Sequence, residues 1–295
     1  MSQNSHPLQS HDAPFHIESV TLLVHNLDRV AQFYVDTIGL EIISATRHDV
    51  ALGKDGVILL NLHGDSAAKA PPTGTPGLFH TAFLLPERKH LGQWLRQARN
   101  NHKSLDGAAD HSVSEAVYLT DPEGNGIEIY ADRPRSTWTF DGESVRMGNA
   151  RLDMPGLLAL AESTDKPYQM PQGTRIGHVH LCVPTLAGAA QALNTQWGLD
   201  VMCQYPGATF FSWGGYHHHI AANVWNSTPT AIREAGQAGL QSVTLMARDA
   251  AIQADLSQRW LRAGGLHSDG ETSITAFSGL HFSLVSQPAA AVHSR

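Results

Sequence analysis

At an offset of 159 residues the chain repeats itself: Val24-His25-Asn26-Leu27 returns as Val183-Pro184-Thr185-Leu186, Gln32 as Gln191, and Gly39-Leu40-Glu41 as Gly198-Leu199-Asp200. Each copy reads as a strand (SVTLLV, HVHLCV), a helix with apolar residues at helical spacing, then Gly-Leu and a second strand. Two further copies begin at Gly77-Leu78-Phe79-His80 and Gly239-Leu240-Gln241-Ser242, and run into helices holding Trp94-Leu95-Arg96 and Trp260-Leu261-Arg262. The chain is therefore expected to contain four βαβββ-like modules. Periodicity alone gives an α+β class with repeats.

The 295 residues suit two domains of ordinary size. We expect an N-terminal domain over 15–132 and a C-terminal domain over 174–287, each of two modules. The opening MSQNSHPLQSHDAP reads as a disordered polar tail over 1–14. It lacks the basic-then-apolar design of a signal peptide. Residues 133–173, rich in Pro, Gly and Met, have no counterpart in the repeat and read as a linker with a short helix near Pro155–Leu160, a segment that an oligomer contact would bury. A net charge of −7 gives no reason to expect nucleic acid or an acidic membrane as partner. No run approaches the ~20 apolar residues of a membrane span. Two cysteines, Cys182 and Cys203, make no framework and point to ordinary buried thiols in a reduced, cytoplasmic setting.

Within the second module, HSVSEAVYLTDPEGNGIE at 111–128 carries chemistry. Ala116–Leu119 reads as a strand, Asp121–Gly126 as a hairpin turn and Ile127–Tyr130 as the returning strand. Glu128 lies between Ile127 and Ile129, so alternation turns it to the opposite face, where a carboxylate needs a partner, a metal or water. Asp121, Pro122 and the glycines at 124 and 126 read as turn chemistry.

This pattern resembles the signature of the extradiol ring-cleaving dioxygenases of the vicinal-oxygen-chelate superfamily, in particular the catechol 2,3-dioxygenases. His111, Val117-Tyr118, Asp121-Pro122, Gly124 and Glu128 match it. One position departs: Ala109 stands where the family usually has Gly or one of a few other residues. The resemblance implies that the modules pair into curved sheets around a cleft, a vicinal-oxygen-chelate fold, and that the closing Glu binds a metal.

In that superfamily, ligands come from the first and last strands of a module. The first module offers only Ser19 and apolar residues near Leu59, and the fourth offers Ser242 with His281 or Phe282. The second and third offer His80, Glu128 and His178, with His180 on the same strand face as His178 and rival to it. His80, His178 and Glu128 would form a facial triad with open positions, suited to Fe(II), with Mn(II) as the alternative. Such a site requires the second and third modules to share one cleft and the first and fourth to pair as a metal-free unit.

The resemblance also implies a histidine that moves protons to and from the bound diol. The run Gly215-Tyr216-His217-His218-His219-Ile220 supplies the candidates. Comparison with the family's His-His pair favours His219, and alternation puts His217 on the same face and His218 on the other. Tyr118 would contact a catecholic oxygen, and His111 would act as a donor beside the substrate. Pocket walls are expected from Phe79, Phe83, Tyr216 or Trp225. The expected activity is Fe(II)-dependent cleavage of a catechol by O2 in a homo-oligomer, giving 2-hydroxymuconic semialdehyde from catechol itself. The alternatives are a metal-dependent glyoxalase-like isomerase or lyase, which would ordinarily want a fourth ligand, and a non-catalytic aromatic- or quinone-binding resistance protein.

Overall fold

The computed structural model describes residues 10–162, 166–268 and 270–286. Four βαβββ modules follow one another. The first is β1 (Phe15–Val24), α1 (Leu27–Phe33, continued by a π-helical turn Tyr34–Ile38), β2 (Glu41–Ala45), β3 (Asp49–Lys54) and β4 (Val57–Gly64). The second is β5 (Gly77–Leu85), α2 (Arg88–Asn100), β6 (Gly107–Asp110), β7 (Ser114–Thr120) and β8 (Gly126–Asp132). The intervening segment carries the hairpin β9 (Phe140–Asp141) and β10 (Ser144–Val145), then α3 (Met154–Leu160). The third module is β11 (Arg175–Cys182), α4 (Leu186–Ala190), β12 (Asp200–Tyr205), β13 (Ala208–Ser212) and β14 (Ile220–Asn223). The fourth is β15 (Gly239–Ala247), α5 (Ala250–Arg262), β16 (Leu266–Ser268), β17 (Glu271–Ala276) and β18 (Leu280–Ser286).

Two eight-stranded sheets result, ordered β16-β17-β18-β15-β1-β4-β3-β2 and β12-β13-β14-β11-β5-β8-β7-β6. Each sheet takes one module from residues 15–132 and one from 174–286, so the third and second modules share a sheet and the fourth and first share the other. This is the pairing that a site built from His80, Glu128 and His178 requires. In every module the first strand runs parallel to the last, and the two modules of a sheet meet through their first strands, antiparallel.

The main core lies between the helices and the sheets. Trp94 of α2 and Trp260 of α5 are fully buried, with Val30, Leu91 and Leu256 beside them on the apolar faces that helical spacing gives these helices. Cys182 is buried, Cys203 half-buried, and both are free.

Two expectations about the irregular segments are corrected. Residues 10–14 are not a loose tail: Ser10–Asp12 forms a 3-10 turn, Ser10 and Ala13 are buried, and the Pro14 carbonyl accepts from the Arg248 amide at 2.9 Å. Polar composition conceals this because the anchoring partners are backbone groups. Residues 1–9 of the proposed tail lie outside the described residues. The segment 133–173 is more than a linker. Trp138, Val145, Leu152, Leu157 and Met170 are buried within the same chain, while Phe140 and Leu160 stay exposed.

Candidate metal centre

The antiparallel pair β5/β11 brings the histidines together. His80 pairs directly with His180, and His178 with Ala82, while a residue is skipped between Leu78 and His80 on β5 and between Ile176 and His178 on β11. These bulges turn the histidines onto the concave face. Glu128 arrives from the other side of β5, opposite Ala82 in the parallel β5/β8 ladder.

Glycines allow these approaches. A Cβ at Gly126 would lie 1.9 Å from the Phe79 carbonyl oxygen, so β8 can close on the β5 bulge only without a side chain there. Its role is packing rather than the expected turn chemistry. Gly124, at φ +91°, is the turn glycine. Asp121 organises the turn as expected: its buried carboxylate accepts from the amides of Glu123 and Asn125 and from the Asn125 side chain, at 2.8, 2.9 and 2.8 Å.

His80, Glu128 and His178 are all buried, each offering a ligand atom within 4.8 Å of the others. Glu128 Oε2 lies 3.0 Å from His80 Nε2 and 3.2 Å from His178 Nε2. His180 shares the concave face and packs edge-on against His80, ring centroids 5.0 Å apart, outside this cluster. His80 Nε2 is within reach of the carboxylate yet not aligned for a hydrogen bond, leaving a buried nitrogen without a partner. A cation bound between the three groups would satisfy it. Burial works to raise the Glu128 pKa, but His178 and then His80 outweigh it and hold the carboxyl well below its ordinary value. Burial drives His178 down to about 4. At neutral pH the cluster therefore presents a carboxylate and a neutral imidazole at His178, the forms that bind a metal ion. Two imidazoles and one carboxylate fit a divalent transition metal.

The triad opens into a cavity of about 630 Å³, within the range of small-molecule sites. Phe79, Phe210, Tyr205 and Trp225 wall one side, and Tyr118, Leu119 and Ile127 the other. Of the expected wall residues, Phe79 and Trp225 are present. Phe83 is in the main core and Tyr216 packs behind the site. Tyr118 and His111 both face the cavity, joined by a 2.7 Å hydrogen bond between Oη and Nε2. His111 Nδ1 is 2.9 Å from the Gly148 carbonyl, which needs a donor, so a neutral His111 accepts the Tyr118 proton at Nε2. Burial first, then Glu128, raises the Tyr118 pKa well above its ordinary value, so the phenol stays protonated. The sequence reading missed the wall made by Met147, Gly148 and Asn149. The segment after β10 bonds along the edge of β6 through the reciprocal Asp110 and Ala150 amides and carbonyls, which no repeat pattern signals.

The histidine run is placed differently from the expectation. Gly214 and Gly215 have φ of +65° and +71°, and β14 begins only at Ile220, so strand alternation does not apply to residues 216–219. His219 turns away from the cavity. Its Nε2 lies 2.9 Å from the Ser10 carbonyl and its Nδ1 2.9 Å from Ser212 Oγ. His217 is fully buried behind the site, against Trp138 and Tyr216. His218 is the member that lines the cavity, its ring against His178 with centroids 4.0 Å apart.

Comparison with known proteins agrees with this architecture. Residues 16–129 match a family described as the Glyoxalase/Bleomycin resistance protein/Dioxygenase superfamily. A catechol-2,3-dioxygenase of Bacillus subtilis (strain 168) is 40% identical over 236 residues, 78% of this chain and 82% of that protein. Biphenyl-2,3-diol 1,2-dioxygenase 3 of Rhodococcus globerulus is 28% identical over 115 residues, 38% of this chain and 60% of that one. Among solved structures, a Bacillus subtilis protein shares the fold at TM-score 0.62 and 14% identity, over 94% of this chain and 87% of the other. Glyoxalase I from Zea mays does so at TM-score 0.56 and 12% identity, over 94% of each chain. With its four modules, its buried His-Glu-His cluster and these relatives, the chain belongs to the glyoxalase/bleomycin resistance protein/dioxygenase superfamily, among its ring-cleaving dioxygenases.

Proposed function

We propose that the protein is an Fe(II)-dependent extradiol dioxygenase that opens an uncharged catechol beside its diol. The observation that carries this reading is the buried His80-Glu128-His178 cluster at the floor of a cavity large enough for an aromatic ring. In the β5/β11 pairing, His178 stands opposite Ala82 as His80 stands opposite His180, so the counterpart of the Ala82-Glu128 pair is His180-Ala221. Ala221 has no donor atom. The position that would supply a fourth ligand is blank, which favours an open coordination sphere over the isomerase alternative.

Bound at the triad, Fe(II) would supply the activation of O2 toward an electron-rich diol. The chain's own groups hold and protonate the substrate. Tyr118, with its proton directed to His111, offers its phenol oxygen toward the diol. His218 stands across the cavity as the acid/base that takes a proton from one hydroxyl and returns it during ring opening. We place that role on His218 in preference to His217 and His219, which do not line the cavity. Phe79, Phe210 and Trp225 offer ring faces to the substrate. No Lys or Arg lines the cavity among the described residues, and Asp106 does, so neutral or apolar ring substituents suit it better than carboxylates.

Oxygen uptake and visible absorbance after adding catechol to anaerobically purified, Fe(II)-loaded protein test the reading. Yellow product with matched oxygen consumption is expected, with protocatechuate turned over far more slowly than catechol or an alkylcatechol. Glu128→Ala should lose both the iron and the reaction. No oxygen uptake with any catechol despite bound iron would end the dioxygenase reading in favour of a binding protein.

A further inference from the structure

Behind His218 runs a continuous chain of hydrogen bonds reaching Tyr130 of β8. His218 Nδ1 is 2.7 Å from His217 Nδ1, and His217 Nε2 is 2.9 Å from Asp132 Oδ1. The Tyr216 hydroxyl donates to Asp132 Oδ2 at 2.9 Å, and the Tyr130 hydroxyl lies 2.8 Å from that of Tyr216. His217, Tyr216 and Tyr130 are fully buried. Gly177 makes room for the last link, since a Cβ there would fall 1.7 Å from Tyr130 Oη.

The donors and acceptors of this chain can be assigned from its acidic end. Asp132 accepts from both sides, so Tyr216 spends its proton on Asp132 and in turn accepts from Tyr130. His217 must donate through Nε2, and as a neutral ring it then has only a lone pair at Nδ1. The proton in the 2.7 Å contact therefore belongs to His218 Nδ1. The ring left in the cavity carries its lone pair at Nε2. The alternative, a doubly protonated His217 with the opposite tautomer at His218, would put a cation in a fully buried ring whose one carboxylate partner is already shared with Tyr216.

We propose that Asp132 and His217 are positioning residues that fix His218 in its Nδ1–H tautomer, so that its basic Nε2 faces the diol. The catalytic part of this statement rests on the dioxygenase reading, while the tautomer does not. Without the relay, His218 is free to rotate or to present an N–H, which cannot accept a proton from the substrate.

The test is 15N NMR on metal-free, 15N-histidine-labelled protein, with steady-state oxygen uptake on the Fe(II)-loaded protein. A pyrrole-type Nδ1 and a pyridine-type Nε2 at His218 are expected in the native chain. An Nε2–H tautomer at His218 overturns the proposal, whatever the activity. Two variants separate positioning from packing. His217→Gln keeps an oxygen for His218 and an amide for Asp132, and should retain the tautomer and most of kcat. His217→Phe keeps the ring against Trp138 and Tyr216 but breaks the relay, and should lose the tautomer and lower kcat on the order of 10²-fold with KM for catechol nearly unchanged. If His217→Phe matches the native chain while His217→Gln does not, the histidine serves packing and the proposal fails. If native protein shows the expected tautomer but no oxygen uptake, the dioxygenase reading fails and the hydrogen-bond assignment stands.

Discussion

Adjacent histidines in this chain serve opposite purposes, and the difference lies in what each ring nitrogen meets. His218 has one nitrogen committed to His217 and its ring in the cavity, whereas both nitrogens of His219 are engaged by Ser10, Ser212 and the Trp213 amide. His218→Gln should leave thermal stability near that of the native chain and abolish turnover. His219→Leu should do the reverse, costing about 3 kcal/mol by stranding buried polar partners while the folded fraction stays active. Chemical denaturation and oxygen uptake on the two variants separate these roles. A pH dependence follows as well. Burial pushes His219 down to about 3 and His178 down to about 4, so the folded protein keeps both neutral where an unfolded histidine, with pKa about 6.5, takes up a proton. Stability of the metal-free protein is thus highest above about pH 6.5 and declines as pH falls toward 3, by up to ~1.4 kcal/mol per pH unit for each such histidine. Urea midpoints across this range should show the slope, and His219→Gln should flatten it.

At the scale of the elements, the site depends on how closely strands can approach. The hairpin between β7 and β8 is docked by Glu123, whose carboxylate accepts from the amides of His25 and Asn26 at 2.8 and 2.7 Å, and by Gly126 against the β5 bulge. Gly126→Ala must push β8 away from Phe79 and carry Glu128 off His80, so a large loss of metal affinity is expected together with lowered stability. Gly124→Ala meets no atom within 4 Å and bears only the strain of its φ of +91°, about 1–2 kcal/mol. Its metal content should match the native chain. Titration of both proteins with a chelator-buffered divalent metal distinguishes the two kinds of glycine. The turn glycine was evident from Asp121-Pro122-Glu123-Gly124. The packing glycine was not, because its reason lies on a strand more than forty residues earlier in the chain.

For the whole molecule, the consequence of the topology is that neither half of the sequence owns a complete site. Glu128 and His80 come from the first half and His178 and His218 from the second, joined across β5 and β11. The segment between the halves adds Met147 and Gly148 to the cavity wall and bonds His111 in place. Residues 10–132 and 174–286 produced as separate chains should each fail to bind the metal with the affinity of the full chain, and mixing them should restore part of it. Recovery of full affinity by one half alone would contradict the shared site. No helix among the described residues is long and apolar enough to cross a membrane.

The sequence alone determined the four modules, because a strand-helix-strand pattern is a local property repeated at a fixed offset. Glu128 stood out as a carboxylate inside an apolar strand, and His80 and His178 followed from the family resemblance, which draws ligands from the first and last strands of a module and left His180 as a rival on the same strand face. The sequence left two things to the tertiary structure. One is which histidine of 217–219 faces the cavity, because two left-handed glycines remove the alternation that a reader would apply. The other is the wall from 147–149 and the burial of Ser10, whose partners are backbone groups that no residue type announces. Contacts of that kind are fixed only when the folded sheets bring distant backbone together.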